Sequence, residues 1–169
     1  MVKKIIQKIK EKESYHQYLR LIIIVAISSF FFSLSFVPSA SMVPTIQEKD
    51  FLLISRHSEV ARGDMVIFSS PFGDGERYVK RVIAVGGDKI SIKDGEVKIN
   101  GEVLAEPYVN EPFESSIATM IVPEGELFVM GDNRNYSIDS REFGTIDESD
   151  VVGKMIAILL PFKRTEFGL

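Results

Sequence analysis

The groups able to do covalent chemistry fall in three stretches of this 169-residue chain. Ser41 opens the run Ser41-Met42-Val43-Pro44-Thr45, in which Pro44 holds a turn and the small residues Ser39 and Ala40 stand just before the hydroxyl. Such a serine is a candidate nucleophile, although serines beside prolines commonly only punctuate loops. Lys80 lies in the second stretch, Tyr78-Val79-Lys80-Arg81-Val82-Ile83-Ala84-Val85. In a strand, side chains alternate between faces, so Lys80 would share one face with Tyr78, Val82 and Ala84 while Arg81 pointed the other way with Val79 and Ile83. Apolar neighbours desolvate an ammonium and lower its pKa, which lets a lysine accept a proton near neutral pH. The plainer reading is an edge-strand lysine snorkelling to water. The third stretch runs from Gly131 to Gly144 and packs Asp132, Asn133, Arg134, Asn135, Ser137, Asp139, Ser140 and Arg141 between two glycines. A network of that density usually braces a site. With no cysteine in the chain, disulfides, thiolate nucleophiles and Cys-ligated metal centres are excluded, and no His-x-x-x-His pair suggests a metal. No metal or cofactor is expected.

Strands must hold these groups in place. The segments 51–56, 64–69, 78–85, 89–93, 96–100, 102–106, 126–131 and 151–160 are short, rich in β-branched and aromatic residues, and separated by turn chemistry. Asp94-Gly95 and Asn100-Gly101 are two-residue hairpin signals, because a type I′ turn needs positive φ at both central positions. A three-stranded meander over 89–106 follows. No long amphipathic helix occurs after Ser41, so the expected fold class is mainly β, with antiparallel sheets enclosing one core. The segment 107–125, with three prolines and several acidic residues, reads as a long surface loop.

Ahead of Ser41 the pattern is different. The net charge is −4 with a pI near 5.3, which argues against nucleic acid as a partner. That total hides a split, since residues 1–20 carry six Lys/Arg against two Glu. Residues 21–40 contain no charge; fourteen are apolar, five are serine and one is proline. About twenty residues of helix cross a hydrocarbon core of about 30 Å. The organisation expected is a basic cytoplasmic segment over 1–20, a transmembrane helix over 21–38 and an extracytoplasmic domain over 39–169. Lysines before the span and none directly after it put the N-terminus in the cytoplasm, with the lipid bilayer as a partner. Ser28, Ser29, Ser33 and Ser35 would each bond a carbonyl one turn back. The competing readings are a buried core helix, for which the β-rich remainder offers poor partners, and a cleaved secretory signal, whose apolar region should be shorter.

Ser-Met-x-Pro-Thr after an apolar span, Arg-Gly-Asp-Met-Val-Ile-Phe (62–68), Tyr-Val-Lys-Arg-Val (78–82) with Gly-Gly-Asp (86–88), and Gly-Asp-Asn-Arg-x-x-Ser-x-Asp-Ser-Arg-x-x-Gly (131–144) follow one another along the chain. In this order they resemble the motifs of bacterial type I signal peptidases, in the short single-anchor form. The resemblance implies a β-rich, membrane-bound serine endopeptidase that removes signal peptides from exported preproteins with a Ser/Lys dyad. Carried over residue by residue, Ser41 is the nucleophile and Lys80 the general base. Ser137 orients the lysine, and Ser39 with the Ser41 N–H forms the oxyanion hole. Arg81, Asp139 and Arg141 make a supporting ion-pair set. Val37, Pro38, Met42, Ile46, Tyr78 and Val79 wall two shallow subsites for small substrate residues. The chain departs from the family at Asn135-Tyr136, where an Asp-Asn pair is common, and at Ala40, where glycine is frequent. A Ser-His-Asp triad lacks a histidine: His16 precedes the span, and His57 lies in the charged segment Arg56-His57-Ser58-Glu59. The alternatives are a specialised Ser/Lys processing peptidase for a conjugation or pilus component, a self-cleaving repressor, which should carry a DNA-binding domain, and an inactive anchored binding paralogue, which should have lost Ser41 or Lys80.

Overall fold

The computed structural model describes residues 2–160, with side chains from residue 12 to residue 159. Helix α1 (Val2–Phe31) leads directly into strand β1 (Phe32–Phe36). After the Ser41 turn come β2 (Phe51–Ser55), β3 (Met65–Ser69), β4 (Arg77–Val85), β5 (Lys89–Lys93), β6 (Glu96–Ile99), β7 (Glu102–Val103), β8 (Ile117–Ile121) and β9 (Glu126–Met130). A 3-10 turn over Arg134–Tyr136, the short helix α2 (Ser140–Phe143), β10 (Ile146–Asp147), a second 3-10 turn over Glu148–Asp150 and β11 (Val151–Leu160) complete the order. All pairings are antiparallel. One sheet runs β1-β2-β11-β3-β4-β9-β10 and the other β7-β6-β5-β8. The mainly β architecture agrees with the sequence pattern.

The hairpins form where their turn residues put them. Asp94 and Gly95 take φ of 49° and 80°, and Asn100 and Gly101 take 54° and 90°, so both turns have the positive φ of type I′. They fold 89–103 into the meander β5-β6-β7. The inward residues of that meander, Ile90, Ile92, Val97 and Ile99, pack with Ile83, Phe128 and Met130 of the larger sheet and join the two sheets. The segment 107–125 is not simply a loop. Its residues 117–121 form β8 against β5, since the outer edge of β5 has unpaired backbone groups that a neighbouring strand satisfies.

The largest departure lies before Ser41. A helix continuous over 21–38 is not formed: α1 stops at Phe31, and Phe32-Ser-Leu-Ser-Phe36 pairs as β1 with β2, Phe32 opposite Ser55 and Phe36 opposite Phe51. Alternating serine with large apolar residues suits a strand, and the partner β2 supplies the backbone bonds a helix would have made internally. Ser28 and Ser29 bond the carbonyls of Val25 and Ala26 as expected, whereas Ser33 and Ser35 belong to the strand. No helix among the described residues is long and apolar enough to cross a membrane. Residues 161–169 of the expected catalytic domain lie outside the described residues.

Candidate active site

Two neighbouring elements bring Ser41 and Lys80 together. The Ser41 turn follows β1 after residues 37–39; Val43 N–H donates to the Ala40 carbonyl and Ile46 N–H to the Met42 carbonyl, and the Val43–Pro44 peptide is cis. Met42 and Ile46 are fully buried in a cluster with Val37, Leu52, Ile54, Ile67 and Ile158. Each such side chain contributes about 1.5–3 kcal/mol by leaving water, so the turn is pinned from beneath. Lys80 sits in mid-strand on β4, paired with Val66 of β3, and is 4% exposed. Its Nζ donates to Ser41 Oγ at 2.6 Å. Burial lowers the Lys80 pKa from 10.5 to about 8; the Asp139 carboxylate pulls it up, Arg141 pushes it down and Asp132 pulls it up. Ser39 Oγ lies 3.4 Å from Ser41 Oγ.

The polar run after β9 braces the pair from the other side. Asp139 caps α2, accepts from Gly131 N–H at 2.9 Å and takes two bonds of 2.8 Å from the Arg141 guanidinium. Burial would raise the Asp139 pKa, but Arg141, the Gly131 N–H and the nearby Ser137 hydroxyl hold it below the usual carboxylate range. Arg141 also donates to the Arg134 carbonyl. Asn133 clamps the Ser41 turn, its N–H donating to the Ser41 carbonyl at 3.0 Å and its Nδ2 to the Ala40 carbonyl at 3.1 Å. Gly131 lets these parts meet, because a Cβ there would stand 2.2 Å from Ser137 Oγ and 2.5 Å from the Ser41 carbonyl oxygen.

Beside Ser41 and Lys80 opens a mostly apolar cleft of about 270 Å³, whose walls include Phe36, Val37, Pro38, Leu52, Ile67, Tyr78, Val79 and Ile138. Among the described residues no group of His, Asp and Glu is arranged to hold a metal. The hydroxyl, the neighbouring amine of lowered pKa and the cleft together can carry acyl transfer from a peptide whose small side chains enter the cleft.

A family model described as "Signal peptidase, peptidase S26" matches residues 13–160. The chain belongs to this signal peptidase family. It is 35% identical over 176 residues to a signal peptidase I of Bacillus licheniformis, a match spanning 91% of this chain and 93% of that protein. A probable signal peptidase I-1 of Synechocystis sp. is 33% identical over 140 residues, 76% of this chain and 71% of the relative. Among solved structures, a signal peptidase I from Enterococcus faecalis V583 superposes with a TM-score of 0.52 at 34% identity, covering 57% of this chain and 97% of that one. As a member of the signal peptidase family the protein is a serine endopeptidase, a hydrolase.

Against that family frame, several expected residues sit differently from the expectation. Arg81 does not join Asp139 and Arg141: its Nε and Nη2 donate to Asp132 at 2.8 and 2.7 Å, its Nη1 to the Gly63 carbonyl, and Thr45 also donates to Asp132. Strand alternation turns Arg81 away from Lys80 and onto Asp132, leaving Asp139 to Arg141. Ser137 Oγ is buried without a well-aligned hydrogen bond to any described residue, Lys80 included; it is lodged against Gly131. Met42 and Ile46 lie in the core beneath the turn instead of in the cleft wall. Val37, Pro38, Tyr78 and Val79 do line the cleft. Reading the sequence placed Asp132 and Asn133 in the bracing run but gave neither a role of its own, and it missed Leu52 and Ile67, whose strand alternation already turned them inward. His57 is exposed and stacks on Phe30 at 4.7 Å between ring centroids.

Proposed function

We propose that this protein removes signal peptides from exported preproteins, with Ser41 as nucleophile and Lys80 as general base. The observation that carries the reading is the 2.6 Å contact between Lys80 Nζ and Ser41 Oγ inside an apolar setting that lowers the lysine pKa to about 8. Unprotonated Lys80 takes the Ser41 proton as Oγ attacks the scissile carbonyl. The oxyanion is received by the Ser41 N–H, which donates to no other described atom, and by the Ser39 hydroxyl. Lys80 then gives that proton to the leaving amine, and, neutral again, it takes a proton from the water that cleaves the acyl-enzyme. Ser137, buried beside Gly131, takes the orienting role toward the lysine in this reading. The shallow cleft suits small residues at −1 and −3 of the substrate.

The membrane role rests on α1 and β1. The apolar end of α1 carries exposed Ile22, Ile24, Phe30 and Phe31, and β1 continues it with exposed Phe32, Leu34 and Phe36. A continuous run of exposed apolar side chains such as this suits a lipid-facing segment, and the basic residues before it suit a cytoplasmic start. Incubating the full chain with a preprotein in detergent, and sequencing the product, tests the function. Turnover should rise about tenfold from pH 7 to pH 9 as Lys80 loses its proton, Lys80→Arg should abolish it because guanidinium stays charged, and His57→Ala should not alter it. Cleavage by Lys80→Arg would remove lysine as the base.

A further inference from the structure

Beyond Val43 lies a second pocket of about 110 Å³, lined by Val43, Asn110, Glu111, Asp132, Asn133, Arg134, Asn135 and Tyr136. It shares one residue, Tyr136, with the apolar cleft. Tyr136 is 75% exposed and forms the ridge between the two. The pocket is a built feature. Asp132 and Arg134 are 1% and 4% exposed at its base, and Asn135 Nδ2 bonds the Pro112 carbonyl, tying the loop at 110–112 to the turn after β9. Asn135 and Tyr136 are also the pair at which the chain departs from the family pattern.

We propose that this pocket receives the first residues of the mature chain, on the far side of Ser41 from the cleft; the proposal rests on the peptidase reading above. A peptide whose residues before the scissile bond fill the apolar cleft must continue past Ser41, and the wall that continues is Tyr136 and Val43. The volume suits a small first side chain. The charges also suit an emerging amino terminus. Asp132 is occupied by Arg81 and Thr45, and Arg134 by Glu106. Exposed Glu111 makes no ion pair among the described residues. One carboxylate is thus left to face the new ammonium group or a basic second residue.

The test uses two substrates with the same sequence up to −1, one continuing into mature residues and one ending in p-nitroanilide, each assayed with the full chain in detergent. In Asn110→Trp, which fills the pocket, the ratio of peptide to anilide turnover should fall about tenfold. In Glu111→Lys, a preference for Lys over Asp at the second mature position should reverse by about threefold, the size of an exposed charge pair. An unchanged ratio in Asn110→Trp together with an unchanged charge preference in Glu111→Lys overturns the proposal. Inertness of the wild-type chain toward both substrates overturns the peptidase reading, and this proposal with it.

Discussion

Replacing Lys80 by methionine should remove activity and strengthen the fold near neutral pH. In the unfolded chain Lys80 keeps its ordinary pKa of 10.5, and in the folded protein burial brings it to about 8. Below pH 8 both states hold the proton and the whole penalty of burying the ammonium is in force. Between 8 and 10.5 the unfolded chain binds more protons, so wild-type stability rises with pH, and above 10.5 the penalty is gone. At about 1.4 kcal/mol per pKa unit, the penalty at pH 7 is about 3 kcal/mol. The Lys80→Met variant escapes it but gives up the hydrogen bond to Ser41 Oγ, worth about 1 kcal/mol. The net gain at pH 7 is therefore about 2 kcal/mol, or several degrees in Tm for a chain of this size. Unfolding of both proteins in one detergent at pH 6.5, 8, 9 and 10 measures the difference, in which other titrating groups cancel. The gain should shrink through pH 8–10, reach zero near pH 10, where the remaining penalty equals the lost hydrogen bond, and turn into a loss of about 1 kcal/mol above the unfolded pKa. A variant less stable than wild type at pH 7, or a difference that stays flat from pH 7 to pH 10, would refute the reasoning.

Other perturbations separate the roles of neighbouring residues. Gly131→Ala places a Cβ 2.2 Å from Ser137 Oγ and 2.5 Å from the Ser41 carbonyl oxygen; melting and peptide turnover should report a loss of about 1–3 kcal/mol and at least tenfold lower kcat. Asp132→Asn strips the charge opposite Arg81, whose side chain is 11% exposed, and should cost about 3–5 kcal/mol in urea unfolding. Arg62→Ala, at a pair whose arginine is 40% exposed, should cost less than about 1 kcal/mol. Deleting residues 1–31 leaves β1 whole and should preserve turnover of a short peptide in detergent, whereas deleting 1–36 removes Ser35 and Phe36 from the cleft wall and should abolish it.

Local signals made much of the fold legible. Asp94-Gly95 and Asn100-Gly101 set their own turns, and most β-branched runs from Phe51 to Leu160 became strands because each alternates or stays apolar over a strand's length, the run 102–106 shrinking to Glu102–Val103. The losses came where a distant partner decides. Ile117–Ile121 has one β-rich face among prolines and acids, and only the free edge of β5 makes it a strand. Phe32–Phe36 is apolar enough for a helix, and only β2 draws it into the sheet. At the site, the motifs brought Ser41, Lys80, Asp139 and Arg141 to one place, but spacing alone could not say that Arg81 would find Asp132. Nor could it say which side of the turn Met42 and Ile46 occupy, since both sides of a tight turn lie equally near in sequence.

Strand β4 carries Lys80 and Arg81 in succession, one aimed at a serine and the other at a carboxylate, with Val66 and Met65 as their cross-strand neighbours. A slip of one residue in that ladder would exchange them. The hydroxyl would then face a cation that never yields its proton, and the carboxylate one that can. Misregistered molecules would be catalytically silent even if compact and soluble, so the fraction of active sites in a preparation counts the molecules whose β3–β4 ladder closed in the right register, a measure of folding fidelity that no bulk spectrum of β-sheet content would give.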